Sequence, residues 1–168
     1  MLLFLAAMNS PDTRAVEAQS LSGAEEHFVM EAASGGVAEV KLSELAKNRA
    51  SDANVKDFAN QMITDHTQAN DELKPIADSN KIAWPDRLEG DSGTAYKRLS
   101  KLSGPKFDGE YIKVMVKDHD KTVRDFEDAS QKVKNATLKA YIDKTLPVLR
   151  QHQQHAHELA EQGQTRKT

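Results

Sequence analysis

The chain has no cysteine, which excludes disulfides, thiolate metal sites and thiol catalysis in one step. Any metal it holds must be ligated by His, Asp, Glu or Met. Aromatic residues make up only 5%, with eight glycines and five prolines in 168 residues, too few for a loop-rich or low-complexity chain. That length suits one domain able to bury a core without covalent staples. Neither sign of charge dominates: 23 Lys and Arg are interspersed with 26 Asp and Glu, for a formal net charge of -3. No basic face is laid out for phosphate backbones, and nucleic acid is not an expected partner. The opening apolar run, Met1 to Ala7, is too short to cross a bilayer, so no transmembrane segment is expected. It has the apolar core and small residues of an export signal without the basic leading segment, and fits either the tail of such a signal or a frayed, uncleaved end. Residues 1–22 are therefore set apart as a signal-like or disordered N-terminus, 23–162 as the folded domain and 163–168 as a polar tail.

What the chain does have is helical periodicity. From Ala24 to about Lys47, Phe28, Ala32, Gly35, Leu42 and Ala46 follow steps of three and four with Glu39 in the stripe. Ser22 and Glu25 spell a capping box at its start. After a short link at Asn48–Ser51, a second stripe runs through Val55, Phe58, Ala59, Met62, His66, Ala69, Leu73 and Ile76, and Pro75 is expected to kink or end it. Residues 79–105 collect turn formers and read as a long connection with a short helix near Thr94–Leu102, from which Trp84, Leu88, Tyr96 and Leu99 dock on the domain. A third long helix carries Ile112, Met115, Val116, His119, Val123, Phe126 and Val133. A break near Lys134–Ala136 precedes a fourth, with Leu138, Tyr141, Ile142, Thr145, Val148, Leu149, His152, Ala156 and Leu159, and Pro147 marks a kink. Sustained period-two alternation is nowhere present. These features predict an all-α fold, a ferritin-like four-helix bundle with a long crossover between its second and third long helices.

One pattern occurs twice: Phe58-x-x-x-Met62-Ile63-x-Asp65-His66 and Tyr111-x-x-x-Met115-Val116-x-Asp118-His119. It puts histidine on the buried stripe, where an imidazole is costly unless something satisfies it. With Glu39 and His152, each long helix contributes one such residue. His119 and His152 lie about sixteen residues either side of the last turn, and His66 and His119 about fourteen residues into their helices, so at 1.5 Å per residue each pair is level. In the first helix the level position falls nearer Glu31 or Gly35, so Glu31 competes with Glu39 as the carboxylate. Three imidazoles and a carboxylate suit zinc, copper, nickel or iron better than magnesium or calcium. Met62 and Met115 share the face of the histidines, either as core or as thioether ligands for copper. Asp65 and Asp118 point about 100° away and suit a supporting role behind the ligands. His155, one turn from His152, is a further candidate, although the tail around it reads as solvent-facing. The same set also fits a buried His–carboxylate network without metal. Gly35-Gly36 within a capped helix costs about 1 kcal/mol per glycine, which close approach of a neighbouring helix or room for the polar cluster would offset.

The ordered combination of Phe28-x-x-x-Ala32-Ala33-x-Gly35-Gly36-x-x-Glu39-Val40, Val55-x-x-Phe58-Ala59-x-x-Met62-Ile63-x-Asp65-His66, Leu102-Ser103-Gly104-x-x-Phe107-Asp108, Met115-Val116-x-Asp118-His119 and Leu146-Pro147-x-Leu149-x-x-His152 resembles the bacterial family called domain of unknown function 4142, placed in the ferritin-like superfamily. The resemblance covers about residues 24–160 and implies an exported, periplasmic protein. Ferritin-like relatives often bind two irons through a Glu and Glu-x-x-His motifs. Here the residues three before the histidines are Ile63, Val116 and Leu149, so that site is not encoded. Phosphate-loop, nucleophile-elbow and His-Glu-x-x-His signatures are also absent, and no catalysis is assigned. The expected function is an exported metal-binding bundle handling copper or zinc, or a stress-related one. The alternatives are a redox enzyme with an atypical iron site, or a non-metal envelope protein with a buried His–carboxylate network.

Overall fold

The computed structural model describes residues 20–165, so the signal-like segment expected at the N-terminus lies almost wholly outside the described residues, as does the very end of the polar tail. The described chain is all-α: α1 (Gly23–Arg49), α2 (Ala53–Ser79), α3 (Gly90–Leu99), α4 (Gly104–Lys132) and α5 (Ala136–Thr165). No strand occurs among the described residues.

Local chemistry sets the helix ends and then their directions. Ser22 caps α1, with its hydroxyl accepting from the Glu25 amide while the Glu25 carboxylate accepts from the Ser22 amide at 2.8 Å. The same carboxylate accepts from the backbone N–H groups of Lys134 and Asn135, each at 2.9 Å, tying the start of α1 to the link beyond α4. These bonds, chiefly those from Asn135 and Ser22, hold its pKa down to about 2. At the other end, Asp108 near the start of α4 accepts from the amides of Ser51 and Asp52, just past α1. Helices α1 and α4 are therefore antiparallel. The Leu21 amide reaches Asn80 Oδ1 at 3.3 Å, so α2 also runs against α1, which makes α2 and α4 parallel. The segment between them, with α3, carries the chain back along the domain.

The two prolines do not end their helices. α2 continues through Pro75 to Ser79, and α5 through Pro147. Pro75 and Asp71, whose carbonyl loses its donor, both lie on the exposed face, where the unpaired oxygen is open to solvent. Along the crossover Leu99 is fully buried and Trp84 is half-buried beneath the Lys74 ammonium, 5.8 Å from the ring centre. Tyr96, expected to dock, is instead exposed.

The core is two apolar compartments. One gathers Leu42, Phe58, Met62, Phe107, Tyr111, Met115 and Leu159, the other Val29, Leu73, Phe126, Leu138, Ile142 and Leu149. Along every long helix the boundary between them falls on the same class of residue: Glu39, His66, His119 and His152, all buried. A polar layer thus crosses the middle of the domain.

Candidate metal centre

The parallel run of α2 and α4, which face each other across the core, turns the repeated pattern into facing pairs. The Phe58 and Tyr111 ring centres are 6.3 Å apart, and two turns further on His66 and His119 are 5.7 Å apart. Antiparallel α5 brings in His152, 5.3 Å from His66 and 5.6 Å from His119. One ring nitrogen from each histidine lies within 4.8 Å of the other two. A zinc or copper ion about 2.0–2.1 Å from each nitrogen would hold them roughly 3.4 Å apart, closer than the 4.8 Å within which they lie here.

Hydrogen bonding fixes which nitrogens are free. His119 Nδ1 lies 3.0 Å from the Met115 carbonyl, which can only accept, so the hydrogen is on Nδ1 and the lone pair on Nε2. His152 Nε2 lies 2.8 Å from Asp65 Oδ2, so its hydrogen is on Nε2 and its lone pair on Nδ1. The atoms left without a protein partner are His66 Nε2, His119 Nε2, His152 Nδ1 and Glu39 Oε2. Each such group costs about 1–3 kcal/mol when buried and unsatisfied. Two of the three rings are thus held by a hydrogen bond at one nitrogen, the same kind of support that lies behind a metal-ligating histidine.

Burial also keeps the rings neutral. Desolvation pushes His119 down to about 4, with the charge of His152 adding to it. The pKa of His66 is lowered in the same way by burial and then by the other two histidines. His152 is lowered too, because its desolvation outweighs the attraction of Asp65. Neutral imidazole is the form that binds metal. Glu39 stands beside His119, with Oε1 3.7 Å from Nδ1, and burial followed by the charge of Asp118 raises its pKa well above the usual carboxylate range.

Over residues 10–159 the chain matches the family described as domain of unknown function (DUF4142). It belongs to that family. Among solved structures, a DUF305 fragment from Deinococcus radiodurans superposes with a TM-score of 0.75 at 10% identity, covering 86% of this chain and 99% of the fragment. A putative spore coat protein from Bacillus halodurans C-125 gives 0.66 at 13% identity, covering 86% and 90%. At such identities the likeness concerns the fold alone. No protein of curated function matches.

The remaining residues singled out in this family member divide by position. Asp65 supports a histidine, but it is His152 across the bundle and not its neighbour His66. Asp118 is half-buried and bears on Glu39. Met62 and Met115 are fully buried one turn away, in the first apolar compartment. Glu31, the rival carboxylate, is exposed, whereas Glu39 is 6% exposed. His155 does not join the triad; its ring packs edge-on against Phe58 at 5.1 Å. Sequence reasoning missed the buried 2.7 Å bond between Ser43 and Tyr111, whose only signal was Ser43 one turn from Glu39 on the buried stripe. It also missed Asn70, whose amide oxygen would lie 2.1 Å from a Cβ on Gly36, so the missing side chain makes room for α2. Gly35 faces open space and has no such reason. No described helix is long and apolar enough to cross a membrane.

Proposed function

We propose that this protein is a metal-binding helical bundle of ferritin-like architecture whose core holds one copper or zinc ion on His66, His119 and His152. The observation that carries this reading is the buried triad itself: one ring nitrogen from each histidine lies within 4.8 Å of the other two, and each ring has a nitrogen without a partner in the protein. Glu39, with Oε1 3.7 Å from His119 Nδ1, is the carboxyl beside the imidazoles, and it would balance charge by releasing its proton as the ion binds. Three imidazoles with no carboxylate among the converging atoms favour the borderline and soft cations over magnesium or calcium. A buried His–carboxylate network without metal is less well supported, since such a network should satisfy its own members and this layer leaves four atoms unpaired.

The family resemblance supports export as the setting, where such a bundle would bind or buffer metal outside the cytoplasm. The test is equilibrium titration of the purified, untagged protein with Zn2+ and, under reducing conditions, with Cu+. One equivalent bound per chain, lost in His119→Ala while the helical circular dichroism persists, supports the reading; no binding of either ion removes it.

A further inference from the structure

We propose that Asp118 and Glu39 form the route by which a cation reaches the three imidazoles, along the seam between α1 and α4. The inference rests on the metal-binding reading above. A buried ion site needs a path along which water is exchanged for protein oxygens, and oxygen donors occur on this seam at graded depth. At the surface the Asp91 carboxylate on α3 is paired with Lys117 Nζ at 3.1 Å and stands outside the route. Asp118 follows on α4, half-buried, with Glu39 inside it on α1. Glu39 then touches the metal layer through Oε1, 3.7 Å from His119, while its buried Oε2 has no partner in the protein. That unpartnered oxygen is the observation that separates this row from an ordinary acidic surface.

Two further features bear on this seam. Lys117 and Lys121, the cations flanking Asp118 on α4, are each engaged by another carboxylate, Asp91 at 3.1 Å and Asp125 at 2.6 Å. Helix α1 also packs on α4 far more sparsely than on α2, so separation at this seam disturbs less of the core. On the opposite side of the layer, Asp65 is held in its bond to His152. It is a support for the ligand and does not belong to the route.

A route residue speeds arrival and departure alike, and so changes rates without changing affinity. The experiment is stopped-flow binding and chelator-driven release with the full chain, using whichever of Zn2+ or Cu+ binds at equilibrium. Asp118→Asn should lower both the association and the dissociation rate about tenfold, as when the loss of an oxygen that exchanges with water along the path raises the barrier equally in both directions by about 1.4 kcal/mol, with Kd unchanged within about twofold. Asp71→Asn, an exposed carboxylate on α2, makes the same change in net charge and should leave both rates near wild type. The route is overturned if Asp118→Asn leaves the rates alone, if it weakens Kd through faster release only, or if Asp71→Asn slows uptake equally. Absence of binding by the wild-type chain would instead overturn the metal reading, and the route with it.

Discussion

Replacing Asp65 by Asn tests the logic of the centre without touching a ligand. The substitution keeps shape and removes charge. Asp65 Oδ2 lies 2.8 Å from His152 Nε2, and it is this bond that places the ring hydrogen on the far side and leaves Nδ1 free. In Asp65→Asn the new side-chain amide either accepts through its oxygen, with a weaker neutral bond, or donates through its nitrogen and forces the hydrogen onto Nδ1, where it blocks the lone pair. Loss of a hydrogen-bonded partner behind a metal-ligating histidine typically costs 10- to 100-fold in affinity, or about 1.4–2.7 kcal/mol. Competition against a chromophoric chelator measures that change directly. Asp71→Asn provides the control, because Asp71 is an exposed carboxylate on the same helix and makes the same change in charge. The expected result is a roughly 10- to 100-fold loss for Asp65→Asn and less than about a twofold change for Asp71→Asn. Equal, small effects would refute the claim that Asp65 orients a ligand.

Acid should weaken the metal-free fold well before most carboxylates titrate. The folded pKa of His119, about 4 against an ordinary 6.5, is depressed, so its contribution to stability is present above pH 6.5 and is lost as pH falls toward 4, by about 3 kcal/mol. Denaturant midpoints across that window check this, and a flat profile would contradict it. The glycine pair should behave asymmetrically. Gly35→Ala gains helix propensity with nothing in its way and stabilises by about 0.5–1 kcal/mol. In Gly36→Ala that gain is offset because Asn70 must move, and it reappears in an Asn70→Ala background; equal effects at both glycines would dismiss the close approach.

Periodicity made the four long helices legible because each buries a continuous stripe, and the capping box at Ser22 and Glu25 located a boundary. Equal helix depths also brought His66, His119 and His152 to one level before any coordinates. Properties that depend on which neighbour a side chain faces were hidden. Asp65 precedes His66 in the chain yet serves His152, because a step of about 100° around α2 turns it toward α5. Counting residues puts the level nearer Glu31 although Glu39, on the apolar stripe, is the favoured carboxylate, and burial separates the two. Pro75 is expected from the sequence to kink or end α2, and the helix continues past it to Ser79 because the carbonyl it orphans lies on the exposed face.

Thermal stability of the chain with and without its ion tests the metal centre most directly. Binding to the folded state alone at one hundred times Kd adds about 2.7 kcal/mol, which for a domain of this size raises Tm by roughly 5–10 °C. Such a rise is expected with Zn2+ or Cu+ at one equivalent per chain, none with Mg2+, and none for His119→Ala. An unchanged Tm with both transition ions, in a wild-type protein that analyses free of metal, would contradict a metal-binding core.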